Sequence, residues 1–137
     1  YYTQKNTLDL SLNSFFRNDS TYSIPNVFFN TTRVETGKRA IVSNLRLGKG
    51  FDSDLDLLKI ADKTVSLKTA ALLSARFPIV SPTALIKDSE NNDWGKIVDG
   101  GYYDNSGLLT ALDIVKTINH NTPDSIKIKP VIIYIQN

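Results

Sequence analysis

The stretch of this sequence best suited to chemistry is Ile97-Val98-Asp99-Gly100-Gly101-Tyr102-Tyr103-Asp104-Asn105-Ser106-Gly107, where an acid stands between an apolar pair and two glycines. Ile97 and Val98 suit a short buried strand. Gly100 and Gly101 let the backbone take positive φ or let a second segment approach closely, and Asn105 or Ser106 can cap a helix that follows. The pattern predicts strand, turn and helix start, with Asp99 at the strand's carboxyl end. Ligands of open α/β sheets bind in the crevice outside those ends, so a carboxylate there is placed to act as acid or base. The same residues also fit a plain turn in which the aspartate accepts nearby backbone N–H groups.

Other chemistries find less support. The chain has no Cys, which removes disulfides, thiolate nucleophiles and Cys-ligated metals. Asp52, Asp54 and Asp56 alternate as in a calcium loop, but the expected Gly and terminal Glu are missing and leucines follow. Gly48-Lys49-Gly50 lacks the spacing of a phosphate-binding loop. His120, the only histidine, falls at the end of a helical pattern beside Asn121 and Pro123, as a solvated helix terminus would. Neither a metal nor a cofactor is expected.

The elements that must position Asp99 follow from periodicity. Leu8, Leu12, Phe15 and Phe16 are spaced for a short peripheral helix within residues 1–25. Val27–Thr32 and Arg39–Asn44, separated by Glu35-Thr36-Gly37-Lys38, predict a β-hairpin. Arg33, Lys38, Arg39, Arg46 and Lys49 fall on or beside it. They form either a solvated edge, the simpler expectation, or a patch for peripheral membrane contact. Ser66 caps a helix with Leu67, Ala70, Ala71 and Ser74 along one stripe, ended by Pro78, with Arg76 placed to bond the last carbonyls. Phe77-Pro78-Ile79-Val80-Ser81-Pro82 then reads as an extended apolar loop that lines a pocket or covers the core. Asp88–Asp93 is a polar loop. Leu108, Ala111, Leu112, Val115 and Ile118 predict a helix laid on a sheet, and Ile126–Ile135 a central strand buried on both faces. Strand, helix, strand in that order predicts a right-handed parallel crossover and an α/β class.

The totals agree with one folded domain: 137 residues, 41% hydrophobic, 22% charged, with a net charge of +2 that favours neither nucleic acid nor acidic partners. The basic residues neither cluster on one helix nor interleave with aromatics, so nucleic acid is not expected as a partner. The chain contains no Met, from which we expect a part of a longer product. No apolar run approaches the length that spans a bilayer, and localisation is unreadable from these residues.

Three blocks, in order, resemble the patatin-like phospholipases. Phe28-Phe29-Asn30-Thr31-Thr32-Arg33-Val34-Glu35-Thr36-Gly37-Lys38 is similar to that family's hairpin. Ala70-Ala71-Leu72-Leu73-Ser74-Ala75-Arg76-Phe77-Pro78 with Ser81-Pro82 resembles its small-residue helix and proline loop. Val98-Asp99-Gly100-Gly101, with Asn105 downstream, resembles its Asp-Gly-Gly or Asp-Gly-Ala block. The resemblance implies a layered α/β/α fold and hydrolysis of lipid acyl esters by a Ser-Asp dyad without a metal. It puts Asp99 in the base position and Gly100, Gly101, Asn105, Ser74, Phe77 and Pro78 around the site. The sequence departs from the family in having no Gly-x-Ser-x-Gly elbow and no glycine-rich oxyanion loop. Residues 1–137 are accordingly expected to be the C-terminal part of a single patatin-like domain. The nucleophile would precede Tyr1, and the isolated chain would be inactive. Ser106 is placed to cap and not to attack, and Tyr102 and Tyr103 to cover the turn. Such a part is expected to self-associate or to stay bound to its missing portion. The alternative class is a noncatalytic α/β interaction module.

Overall fold

The structure, a computed structural model, describes residues 6–15 and 25–135. It is a mixed α/β arrangement built on one five-stranded sheet. The strands are β1 (Phe28–Arg33), β2 (Arg39–Ser43), β3 (Leu55–Asp56), β4 (Ala84–Lys87) and β5 (Asp93–Asp99), in the spatial order β3-β2-β1-β5-β4. The helices are α1 (Leu12–Phe15), α2 (Leu57–Ala61), α3 (Leu67–Ser74), α4 (Gly101–Asp104) and α5 (Leu108–Asn121).

The expected hairpin is present. β1 pairs antiparallel with β2, with Thr31 opposite Ala40. Gly37 takes φ +65° at the turn and donates its N–H to Arg33 O. Strand alternation then sorts the side chains of the sheet. Ala40, Val42 and Ile97 share a cluster with Leu57, Ala70, Leu73 and Leu12, so α1, α2 and α3 cover one face. Arg39 and Asn30 point to the other face, where they bond Thr110 of α5. Helices therefore pack on both sides of the sheet.

α3 begins where its cap predicts, with Thr69 N–H donating to Ser66 Oγ at 3.1 Å. Its buried stripe is Ala70 and Leu73, while Ala71 is exposed, a rotation of the expected face. Leu73 wins because its larger side chain gains more from the core than a second alanine. Residues 8–12 are less peripheral than their composition suggests. Leu12 is fully buried, and its N–H donates to Val65 O just ahead of α3. Leu8 is half exposed, and Phe16 lies outside the described residues.

Four expectations fail, each for a tertiary reason. The parallel crossover does not form, because both sides of β5 are occupied by antiparallel neighbours, β1 and β4. No strand forms over Ile126–Ile135; with no ladder partner the segment stays exposed, Val131, Ile133 and Ile135 above 80%. α5 turns a polar stripe inward, Thr110 with the half-buried Asp113 and Thr117, and leaves Leu108, Leu112 and Ile118 about 40% exposed. The hairpin is not an edge, since β2 lies inside the sheet and Arg39 is 2% exposed. β3, α2 and β4 are further elements that periodicity did not predict.

Candidate active site around Asp99

β5 ends at Asp99 as expected, with Ile97 fully buried and Val98 nearly so. The strand geometry differs from that of an open parallel sheet, because β1 and β4 run against β5. β2, β3 and β5 nevertheless point the same way, so Asp99 lies at the end of the sheet where those three strands finish.

Two backbone bonds hold the turn. Asp99 N–H donates to Arg76 O at 2.9 Å, and Gly100 N–H to Ser74 O at 3.1 Å. The C-terminal end of α3 is therefore stitched to the Asp-Gly-Gly turn, and the orphan carbonyls of the helix end are used to do it. Thr32 of β1 adds a third tie, its hydroxyl donating to Asp99 O at 3.0 Å. Gly100 is required for space and not for φ, which is −65°. A Cβ there would lie 2.3 Å from Asn30 O, so the turn presses directly on the β1 backbone.

The Asp99 carboxylate is half-buried. Its Oδ1 accepts the Gly101 N–H at 2.6 Å. Among the described residues Oδ2 takes no hydrogen bond. One oxygen is thus fixed by the backbone, while the other has no partner among the described residues. A Cβ on Gly101 would meet Asn105 Oδ1 at 2.9 Å and Asp99 Oδ1 at 3.0 Å, which brings Asp99, Gly101 and Asn105 into one small cluster.

Of the remaining expected site residues, Ser74 contributes its carbonyl to this turn. Phe77 stacks on Tyr102 with ring centroids 6.2 Å apart, and Pro78 follows it in the exposed loop. That loop is a turn and not extended, and Phe77, Pro78, Ile79, Val80 and Pro82 are exposed. Arg76 does not cap α3 with its side chain; Nη1 donates to Pro82 O at 2.7 Å. Tyr102 is 58% exposed and supports Phe77, while Tyr103 faces the Arg39 guanidinium, 5.4 Å from the ring centroid. Ser106 does not cap α5, whose N-cap is Gly107 with no side-chain bond; its hydroxyl accepts the Leu108 N–H at 3.1 Å from one residue ahead of the cap. Asn105 does not cap. His120 is exposed at the end of α5.

Behind the turn lies a polar network that sequence reading missed. Arg39 forks onto Asp54, Nε to Oδ1 at 2.9 Å and Nη2 to Oδ2 at 2.6 Å, and also reaches Asp113 at 2.7 Å. Its Nη1 donates to the Thr110 hydroxyl, which also receives the Asn30 side-chain amide and donates to Asp104 Oδ2 at 2.9 Å. Burial pulls the Arg39 guanidinium's pKa down, and the hydrogen bonds it donates to Asp54 and Asp113 outweigh burial, so the group stays charged. Asp54 is thereby an ion-pair partner, and Asp56 is the N-cap of α2; neither belongs to a calcium loop. The available signal was the polar spacing of Thr110, Asp113 and Thr117 along a helix otherwise read by its leucines.

Asp104 yields a pH prediction. Burial raises its pKa, but the backbone N–H and hydroxyl of Thr110, with Ser106, outweigh burial and hold it below the ordinary carboxylate range. A depressed folded pKa contributes stability that is complete above the unfolded value of about 4 and lost as pH falls through the folded value. Acid titration of wild type and Asp104→Asn should therefore show wild type losing more stability than the variant below about pH 4. Parallel curves would contradict this role for Asp104.

No protein-family model, curated protein or solved structure matches the chain. Among the described residues no helix is long and apolar enough to cross a membrane, and no cluster of three or more His or acidic residues is grouped to hold a metal.

Proposed function

We propose that this chain is the base-bearing part of a serine acyl hydrolase that cleaves lipid or other acyl esters, with a layered α/β/α fold of patatin-like type. Asp99 is its proton acceptor. The serine nucleophile and the oxyanion donors are supplied by sequence outside this chain, which has no Gly-x-Ser-x-Gly motif. The observation that carries the reading is the state of the Asp99 carboxylate, at the end of a buried strand, with one oxygen oriented by Gly101 N–H and the other without a partner among the described residues.

Chemically, a serine hydroxyl docked on Oδ2 would pass its proton there as Oγ forms a bond to the ester carbonyl carbon. The collapse of the tetrahedral adduct would then return the proton to the leaving alkoxide. The close packing of Gly100 on β1 and the ties to α3 support this by fixing the backbone that carries the carboxylate.

A second reading is favoured by the same 2.6 Å bond: Asp99 serves only to close its turn, in a noncatalytic interaction module. The test is turnover of a short-chain nitrophenyl ester by the longer polypeptide, wild type beside Asp99→Asn, with the present chain as a third sample. Asparagine keeps an oxygen for Gly101 N–H but is no base. The expected outcome is a loss in kcat of about 10²–10⁴ in the variant and no turnover by the isolated chain. Equal turnover in wild type and variant would establish the turn-only role.

Under the hydrolase reading, the outward leucines of α5 and the apolar residues of 126–135 form the surface that binds the nucleophile-bearing part or a second copy. Sedimentation of the isolated chain as a monodisperse monomer would count against that surface.

A further inference from the structure

Three arginines among the described residues are wholly or partly buried: Arg33, Arg39 and Arg76. Arg33 stands 3.4 Å from Glu35 Oε2, and Arg39 is held between Asp54 and Asp113. Arg76 forms no ion pair among the described residues. The segment that follows it offers none, since no charged residue occurs from Phe77 to Ile86. A guanidinium stays protonated at any ordinary pH, so this charge is left without a counter-charge.

The hydrogen bonds of Arg76 show which edge lacks a partner. Nη1 donates to Pro82 O at 2.7 Å. Nε is buried and has no acceptor, and Nη2 takes none among the described residues. Nε and Nη2 are the donors that lie side by side and match the two oxygens of a carboxylate or phosphate. Arg39 uses that same pair, Nε on Asp54 Oδ1 and Nη2 on Asp54 Oδ2. In Arg76 the corresponding fork has no anion, and a buried N–H left without an acceptor is costly unless a ligand supplies one.

The fork also stands beside the candidate site. The Arg76 carbonyl accepts the Asp99 N–H at 2.9 Å, so its backbone touches the Asp99 turn. Pro82, which anchors the guanidinium, comes two residues before Ala84, and Ala84 pairs with Ile97, which comes two residues before Asp99. Because β4 and β5 are antiparallel, Pro82 and Asp99 leave the ladder at the same end of the sheet.

We propose that Arg76 is a substrate-binding residue whose Nε and Nη2 take the paired anionic oxygens of a phosphodiester or carboxylate carried by the acyl ester. That the anion belongs to a substrate rests on the hydrolase reading; the binding of the anion itself does not require Asp99 to be the base.

The experiment uses the longer polypeptide. Calorimetry at fixed ionic strength follows the binding of glycerophosphocholine, a phosphodiester with no acyl bond to cleave, and of butyrate, a carboxylate. Wild type is compared with Arg76→Gln, Arg76→Lys and Asp99→Asn, with circular dichroism to check folding. Arg76→Gln should weaken binding of at least one anion by about tenfold or more, as loss of a charge-assisted fork implies. Arg76→Lys keeps the charge and a donor for Pro82 O but has no fork, so it should recover only part of the loss. If the glutamine variant does not fold, the lysine variant carries the comparison. Loss confined to glycerophosphocholine identifies a phosphodiester, and loss confined to butyrate a carboxylate. In wild type the Arg76 Nε–H proton resonance, identified by its absence from Arg76→Lys, should shift as the anion is added, which a residue that only clamps its loop would not show. The proposal is overturned if wild type binds neither anion, if the folded Arg76 variants bind both as wild type does, or if the Nε–H resonance does not move. Asp99→Asn should bind the anion at least as well as wild type. Ester turnover that survives in Asp99→Asn would sink the base role alone, and the binding data would still decide on Arg76.

Discussion

Replacing Arg39 by methionine should destabilise the protein by about 3–5 kcal/mol, because it leaves a buried carboxylate without its counter-charge. The Asp54 side chain is 2% exposed and takes both prongs of the Arg39 fork, and Asp113 shares the same guanidinium. A methionine fills much of the volume but donates no hydrogen bond. Domains of this size are typically stable by about 5–15 kcal/mol, so the substitution should remove a large share of the total. The diagnostic variant is the triple change Arg39→Met, Asp54→Leu, Asp113→Leu, which removes both charges along with the cation. It should be more stable than Arg39→Met alone, since a buried ion pair replaced whole by apolar groups is often near neutral. Urea denaturation of both variants provides the measurement. A single variant within about 1 kcal/mol of wild type would mean that the fork contributes no more than a surface pair does.

Gly100→Ala is the second large effect. The new methyl would lie 2.3 Å from Asn30 O, 2.5 Å from Asn30 C and 2.8 Å from Asn30 Cβ, and none of these is the end of a flexible side chain. β1 cannot retreat, because it is paired on both sides, to β2 and to β5. The turn must move instead, which breaks the bonds from Asp99 and Gly100 to the end of α3. A cost of about 3 kcal/mol is expected, at the upper end of overpacking effects because backbone and not side chain must yield. Gly107→Ala is the control. That residue has φ +71° with nothing within 4 Å, so the cost there is conformational strain alone, of about 1 kcal/mol. Equal losses at the two positions in thermal or urea unfolding would refute the close-approach explanation. In the longer polypeptide, Gly100→Ala should also depress ester turnover if Asp99 is the base, since it displaces the carboxylate without altering its chemistry.

What was legible in the sequence was local. Ser66 caps α3 because a short hydroxyl side chain can accept the N–H three residues on. The hairpin turns at Gly37 because only glycine takes φ +65° there without strain. Asp99 ends β5 because two buried β-branched residues precede it and two glycines follow. Each of these outcomes depends on a few neighbouring residues, so their identities sufficed.

Tertiary structure decided the rest, because the outcome depended on groups distant in the chain. The leucines of α5 announced an inward apolar face, yet Thr110 and Asp113 turn in instead. Arg39, buried by its place on an interior strand, must be neutralised and hydrogen-bonded, and leaving it unpaired would cost more than leaving leucines partly wet. Ile126–Ile135 has the composition of a central strand, but a strand exists only where a ladder receives it, and both sides of β5 are taken. The meeting of α3 with the Asp99 turn likewise rests on two backbone bonds spanning some 25 residues, which no local pattern encodes. Residue types thus determined which carboxylate stands at a strand end, and long-range pairing decided what surrounds it.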